Sequence, residues 1–273
     1  MQYQTDRLII LYMSIKNLLW TGGLASVLIA TSACSTSNKA GYALTGVSKT
    51  RILVDQRYDA SPDKNAMKFI APYKQKVDSL MGPVMGTAAE SMTAHRPESE
   101  LSNLLADILV WKSKDYNETP DFSVYNMGGI RASFTKGKVT YGDVLDVAPF
   151  ENKICFLTLT GEKVTELFQQ IASVGGEAVS HGVELVITHD GKLVSAKLHG
   201  KAIDPKANYR VVTLDYVSQG NDKMNAFKSG TNQVSPQEEH NNVMFIIMDY
   251  FKAHDKQGKA VDSKIEGRIR YQE

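Results

Sequence analysis

The chain has 273 residues, 42% of them apolar, with 31 basic against 30 acidic side chains and a formal charge of +1. This near-neutral balance argues against a protein that binds nucleic-acid polymers through a broad basic surface. Ordinary glycine and proline contents exclude a collagen-like or wholly disordered chain, and two cysteines are too few for a disulfide framework or a cysteine-based zinc site.

The N-terminal segment is typical of a secretory signal. Residues 18–33 form a run of apolar and small residues, broken by two glycines and shorter than the ~20 residues of a comfortable membrane span. An uncleaved membrane anchor is the alternative. The run ends directly before Cys34, which resembles the lipobox of bacterial lipoproteins and implies cleavage after residue 33 and a diacylglycerol on the Cys34 thiol. Because Lys16 supplies the basic residue of such a signal, we predict that translation begins at Met13.

These observations divide the chain into a signal peptide over residues 1–33, a small and polar lipidated tether over 34–46, and one domain over 47–273. They predict a protein of the bacterial cell envelope, anchored by lipid and facing the periplasm or the cell exterior. Loss of the signal removes two basic residues and one acidic residue, which leaves a formal charge of zero. Cys155 lies in an apolar run and is expected to be a buried, unreactive thiol.

Patterns of helix and strand alternate along the rest of the chain. Residues 51–55 predict a first strand, and Ser61-Pro62-Asp63 opens a helix with Pro62 at its first position and apolar residues at helical spacing. Asp190-Gly191 predicts the turn of a hairpin. Further helices are predicted from Pro97, over 142–147, from Gly161 and over 241–254, and further strands over 121–125, 153–159, 182–188, 192–198, 209–214 and 265–271.

No repeat of 20–50 residues interrupts this alternation, so the sequence predicts a mixed α/β (α+β) domain with a mixed β-sheet flanked by helices. The six histidines are scattered, without the paired motifs that bind two catalytic metals. P-loop and nucleophile-elbow motifs are absent from the sequence as well. We therefore expect no catalytic residue, metal or cofactor in this chain.

Candidate binding residues begin at the segment Asn126-Met-Gly-Gly-Ile-Arg131, which directly follows a predicted strand. Two glycines, Gly128 and Gly129, let a backbone approach a ligand closely. Asn126 offers a donor and an acceptor, and Arg131 offers a guanidinium suited to an anion. A structural turn with a surface arginine is the alternative reading of this segment.

Two later loops carry further candidates. Phe150 precedes the amide Asn152, and Tyr216 precedes the carboxylate Asp222 by six residues. Two aromatic rings can enclose a planar base, and a carboxylate can accept hydrogen bonds from the paired hydroxyls of a ribose. Taken alone, each aromatic residue could equally belong to the core.

In this order the segments resemble the C-terminal domain of the 5′-nucleotidase/UDP-sugar hydrolase family. The resemblance covers residues 51–270 and is carried by Arg96-Pro-Glu-Ser-Glu-Leu-Ser-Asn-Leu-Leu-Ala-Asp107, the segment 126–131, Tyr141-Gly-Asp-Val with Pro149-Phe-Glu-Asn152, His181-Gly182, and the block 216–222. It implies a fold of that kind, with these roles by matching position: phosphate contacts from Arg96, Asn126 and Arg131, a base sandwich of Phe150 and Tyr216, Asn152 beside the base, Asp222 on the ribose, and Gly182 near the substrate.

The sequence departs from the family pattern in several places. The spacing from Arg96 to Glu98 is one residue short, and other replacements fall close to the implied site: Met127, Glu151 and Tyr216, with Asn221 and Lys223 in place of glycines. Glu151 and the bulkier loops could narrow or alter the nucleotide preference.

Family enzymes carry an N-terminal metallophosphoesterase domain, and the residues before the second helix here are accounted for by a signal, a tether and one helix. The resemblance therefore implies the nucleotide-recognition half of a phosphoester hydrolase of nucleotide catabolism. Its ligands would be of the AMP or UDP-sugar class, and a separate metallophosphoesterase chain would supply the divalent metals and catalysis. The alternatives are a non-catalytic nucleotide- or nucleoside-binding lipoprotein and a degenerate scaffold.

Overall fold

A computed structural model describes residues 45–53, 55–58 and 60–273. The predicted signal peptide, Cys34 and nearly all of the tether lie outside the described residues. One compact unit extends from Asp63 to Glu273, and the described residues before Asp63 belong to a separate unit that includes a 3-10 turn, Gln56–Tyr58. In the described part of the chain, no helix combines the length and the apolar character needed to span a bilayer.

The larger unit contains helices and strands in a mixed order. The helices are α1 (Lys64–Met81), α2 (Glu100–Ser113), α3 (Tyr141–Val147), α4 (Gly161–Ser173), α5 (Asp215–Ser218) and α6 (Val243–Asp255). The strands are β1 (Val84–Ala88), β2 (Phe122–Tyr125), β3 (Gly137–Thr140), β4 (Ile154–Thr160), β5 (Ala178–Val179), β6 (Val183–Ile187), β7 (Leu193–Leu198), β8 (Lys201–Ala202), β9 (Asn208–Leu214), β10 (Thr231–Val234) and β11 (Ile269–Tyr271).

The strands form three sheets rather than one. The central sheet has the order β10-β4-β9-β2-β5, in which β2 and β9 are parallel and the other pairs antiparallel. A second sheet, β11-β6-β7-β8, contains the predicted hairpin of β6 and β7, and β11 joins it in parallel to β6. Strands β1 and β3 form an antiparallel pair. The predicted mixed α/β class is confirmed.

The central sheet is covered on both faces. Successive strand residues point to opposite faces, and in β2 the ring of Phe122 packs against Phe168 of α4, 5.4 Å between centroids, while the Ser123 hydroxyl donates to the Ala106 carbonyl of α2 at 2.7 Å. Helices α2 and α4 therefore lie on opposite faces. Cys155 of β4 is fully buried, as predicted, and burial raises the pKa of its thiol.

Two predictions near the start of the domain are wrong in detail. No strand forms in the described residues of 51–55, where residues 51–53 are exposed and lack a neighbouring strand to pair with. The first helix is capped by Asp63, whose carboxylate accepts from the amides of Asn65 and Ala66 at 2.8 and 3.1 Å, so Pro62 precedes the helix instead of opening it. Strand β1 lies outside all of the predicted strands.

Candidate functional site

Three loops meet at one edge of the central sheet because of the strand directions. The parallel strands β2 and β9 both end at this edge, and they continue into Asn126 and into Asp215. Strand β4 is antiparallel to β9, with its first residue, Ile154, opposite Leu214. The loop that precedes β4 therefore lies at the same edge. The three sequence segments singled out as candidates are thus brought together by topology.

A cavity of about 290 Å³ opens between these loops. Its volume is near the lower end of the roughly 300–1,000 Å³ typical of small-molecule sites. Eight of the ten predicted binding residues line it: Asn126, Gly128, Gly129, Arg131, Phe150, Asn152, Tyr216 and Asp222.

Asn126 joins two of the loops and keeps one atom free. Its Nδ2 donates to Asp222 Oδ2 at 2.6 Å. The residue is only 3% exposed, and its Oδ1 has no hydrogen-bond partner among the described residues. A buried acceptor without a partner is unfavourable by about 1–3 kcal/mol, and this oxygen is itself buried from solvent.

Gly129 makes room for the Asn126 side chain. A Cβ on Gly129 would lie 2.9 Å from Asn126 Oδ1, closer than such atoms approach, whereas a Cβ on Gly128 would meet Asp222 Oδ2 at an ordinary 3.5 Å. The glycine pair therefore has two separate uses. Gly129 permits the position of the amide, and Gly128 leaves the space beside the carboxylate open.

The Asp222 loop holds a carboxylate on a strained backbone. Asp222 and Lys223 both adopt positive φ angles, 53° and 65°, which L residues rarely do. The Tyr216 hydroxyl donates to Asp222 Oδ1 at 3.2 Å, and partial burial together with the nearby Asp222 charge raises the pKa of that hydroxyl. The carboxylate thus has a protein donor on each oxygen, and each oxygen can accept one more hydrogen bond.

The aromatic residues of the cavity are not core residues. Phe150 and Tyr216 are 45% and 38% exposed, which leaves their rings free to contact a ligand. The exposed Arg131 guanidinium lies 5.9 Å from the centroid of the Phe150 ring. The cavity therefore combines aromatic surface, a cation and a carboxylate, which suits a ligand with a planar ring, hydroxyl groups and an anionic group.

Two acidic residues that were not predicted hold the loops in place. Asp215 Oδ1 accepts from the Lys153 and Tyr216 amides at 3.0 and 2.7 Å, which ties the loop before β4 to the end of β9. Glu177 accepts from the Met127 amide at 2.5 Å, directly beside Asn126. Neither residue stands in a recognisable motif, so the sequence offered no signal for them.

Arg96 lies behind the cavity rather than in its lining. Its guanidinium pairs with Glu177 and donates through Nε to the Gly176 carbonyl at 2.7 Å. Glu177 is 2% exposed, and burial raises the pKa of its carboxyl although the Met127 amide and Arg96 act in the opposite direction. The structure gives Arg96 a link to the site through Glu177, and its predicted phosphate contact stays a prediction.

Gly182 lies away from the other predicted residues, in the lining of a different cavity of about 600 Å³ shared with His181, His199 and Glu266. Its φ is +91°, and a Cβ there would be 2.4 Å from His199 Nδ1. The close approach of a ring and the backbone conformation account for this glycine structurally, and its predicted nearness to substrate stays a prediction. In the described part of the chain, no three His, Cys, Asp or Glu side chains are grouped as metal ligands would be.

Comparison with known families decides what kind of domain carries this cavity. The model of the family "5'-nucleotidase, C-terminal domain" matches residues 83–229, more than half of the chain and the whole of the cavity lining. The chain belongs to this family. The resemblance stated from the sequence is thereby confirmed, and the chain is part of a family of nucleotide hydrolases.

The 5′-nucleotidase relatives are much longer than the part they share with this chain. Protein UshA of Yersinia enterocolitica is 27% identical over 167 residues, which are 60% of this chain and 30% of UshA. The trifunctional nucleotide phosphoesterase YfkN of Bacillus subtilis is 28% identical over 236 residues, 80% of this chain and 16% of YfkN. The chain thus spans less than a third of either relative.

Solved structures of the 5′-nucleotidase type agree with the fold. The 5′-nucleotidase precursor of Thermus thermophilus superposes with a TM-score of 0.67 at 28% identity, over 78% of this chain and 44% of that one. The NAD nucleotidase of Haemophilus influenzae shares the fold with a TM-score of 0.57 at 20% identity, over 77% of this chain and 41% of that protein.

Proposed function

We propose that this chain is the nucleotide-recognition half of a 5′-nucleotidase-type hydrolase and binds a nucleoside 5′-phosphate or UDP-sugar in the 290 Å³ cavity. The observation that carries the proposal is the convergence of Arg131, two exposed aromatic rings and the Asn126–Asp222 pair in one cavity. In this arrangement the base stacks between Phe150 and Tyr216, the ribose hydroxyls contact Asp222, and Arg131 pairs with phosphate.

The groups that are free to bind a ligand support the orientation of the nucleotide. Ribose hydroxyls can donate to the Asp222 carboxylate, each oxygen of which can accept a further hydrogen bond. Phosphate is anionic at neutral pH and fits the guanidinium of Arg131 instead. We therefore place the ribose beside Asp222, which Asn126 holds in position through its Nδ2.

Catalysis in this proposal comes from a separate metallophosphoesterase chain that carries the divalent metals. The proteins similar to this chain are two to six times as long as the part they share with it, and the side chains of this cavity are suited to binding and orienting a ligand. A lipid on Cys34 would hold the complex in the cell envelope.

Isothermal titration calorimetry with the purified full chain tests recognition. AMP is expected to bind more tightly than adenosine, because only AMP carries a phosphate for Arg131, and the chain alone is expected not to release phosphate from AMP. Absence of binding by AMP, adenosine and UDP-glucose would overturn the proposal and favour a degenerate scaffold. Binding without activation by any metallophosphoesterase chain of the same cell envelope would favour a stand-alone nucleotide-binding lipoprotein.

A further inference from the structure

Helix α1 exposes a continuous apolar face. None of its 18 residues is buried. At 3.6 residues per turn six apolar side chains fall within an arc of roughly 160°, with Lys76 at one border and Lys74 inside it. The six apolar residues are 44–70% exposed: Met67, Phe69, Ile70, Tyr73, Val77 and Leu80.

An exposed apolar stripe of this size indicates a binding surface. Large apolar patches with a polar rim are typical of binding sites, and most of the stability of a helix in a protein comes from packing of its apolar face. The opposite side of α1 carries Lys64, Lys68 and Gln75. Lys74, beside the stripe, pairs with Asp78 at 2.7 Å, so the helix presents an apolar face with a polar border, complementary to an apolar groove.

The position of α1 connects this face to the nucleotide cavity. Its last residue, Met81, packs against Gly142 at the start of α3, and the Tyr141 amide donates to the Pro83 carbonyl at 2.8 Å. At the other end of α3 the Val147 carbonyl accepts from the Arg131 amide at 3.0 Å. Since seven helical residues span about 10 Å, a protein docked on α1 would lie beside the anion-binding end of the cavity.

The family comparison indicates which protein that is. The matched family domain begins at residue 83, two residues after α1, and is by description the C-terminal domain of 5′-nucleotidases. In the longer relatives the rest of the enzyme therefore adjoins this end of the domain. Helix α1 stands where the recognition half and the remaining part of such an enzyme meet.

We propose that the apolar face of α1 is the docking surface for the metallophosphoesterase chain. The inference rests on the proposed function. The docked chain is expected to present an apolar groove to α1 and to reach the phosphate beside Arg131 from there.

Site-specific photo-crosslinking in the native host tests the proposal. The photoreactive residue p-benzoylphenylalanine replaces Tyr73 on the apolar face or, as the control, Gln75 on the opposite face. The expected result is an adduct from position 73 only, identified by mass spectrometry as a metallophosphoesterase chain. An adduct with a second copy of this chain, with lipid or with an unrelated protein, or no adduct at all, would overturn the docking proposal.

A reconstitution with the crosslinked metallophosphoesterase chain gives the second readout. The triple variant Phe69→Ser/Tyr73→Ser/Val77→Ser is expected to weaken activation of AMP hydrolysis at least tenfold, and the control Lys64→Ser/Lys68→Ser/Gln75→Ser less than threefold. AMP binding by calorimetry should be unchanged in both variants, since neither alters the cavity. Equal activation by both variants would reject the docking surface but leave the proposed function intact. If the unmodified chain did not bind AMP at all, the proposed function would be rejected instead.

Discussion

The side chains of Asn126 and Asp222 are joined across the cavity by a 2.6 Å hydrogen bond, although 96 residues separate them in sequence. The bond fixes the loop after β2 against the loop after β9. It uses one of the two Nδ2 hydrogens of Asn126 and leaves the Asp222 carboxylate able to accept further hydrogen bonds. The carboxylate therefore presents acceptors to the cavity, as the hydroxyl groups of a ribose require.

Asp222→Asn should separate recognition of the ribose from recognition of the rest of the nucleotide. Asparagine keeps the shape and tolerates the positive φ of this position, but it removes the charged acceptor. AMP affinity should fall by about 1.5–3 kcal/mol, as for a hydrogen bond to a charged group, while 2′,3′-dideoxy-AMP should bind both proteins alike. Calorimetry with the two ligands measures this, and an equal loss for both would show that Asp222 does not contact the hydroxyls.

Arg131→Ala should weaken the binding of phosphate-bearing ligands by roughly 1.5–3 kcal/mol and should change the binding of adenosine much less. The guanidinium is exposed and lies over Phe150, so some change in the aromatic surface is expected as well. Arg131→Lys is the matched control, since it retains the positive charge and should recover part of the AMP affinity. If the affinities for AMP and adenosine fell equally, Arg131 would contact the nucleoside and not the phosphate.

Gly129→Ala and Gly128→Ala should differ in their free energy of unfolding, although the two residues are neighbours. A Cβ at Gly129 would displace the Asn126 side chain, and a Cβ at Gly128 would make an ordinary contact with Asp222. We expect Gly129→Ala to lower the free energy of unfolding by roughly 1–3 kcal/mol through loss of the Asn126–Asp222 bond, and Gly128→Ala to stay within about 0.5 kcal/mol of the parent. Urea unfolding of both variants decides, and equal stabilities would contradict the role given to Gly129.

Motif and topology explain why most of the cavity was predictable. Asn126, Phe150 and Tyr216 each stand beside a strand of the central sheet, where residue types suited to a ligand are conspicuous in the sequence. Glu177 was not predictable, because its partners Arg96 and Met127 are 81 and 50 residues away and nothing local marks it. For Gly182, the structure explains the residue type by the close approach of the His199 ring, and nothing in the local sequence indicates this contact.

The apolar spacing of α1 predicted a helix correctly but could not predict its exposure. Periodicity shows that a helix has an apolar face, and it contains no information about whether the same chain or another one covers it. The predicted strand over 51–55 failed for a related reason. Its apolar residues fit a strand, but a strand requires a neighbouring segment that pairs with its backbone.

The buried Glu177 should make stability depend on pH. Burial raises the pKa of its carboxyl above the ordinary 4.5, so the folded protein holds this proton more tightly than the unfolded chain does. The contribution of Glu177 to the free energy of unfolding is then greatest below pH 4.5 and decreases as the pH rises through the folded-state pKa.

Comparison with Glu177→Gln isolates this contribution, since glutamine does not titrate. Urea unfolding from pH 4.5 to 7.5 should show that the stability of the parent, relative to the variant, decreases with rising pH by at most about 1.4 kcal/mol per pH unit. The exposed Glu184 provides the matched control, because Glu184→Gln makes the same substitution at the surface, away from Arg96 and the Met127 amide. A relative stability that increases with pH would mean that Arg96 and the Met127 amide outweigh burial at Glu177, and that its folded-state pKa is lowered.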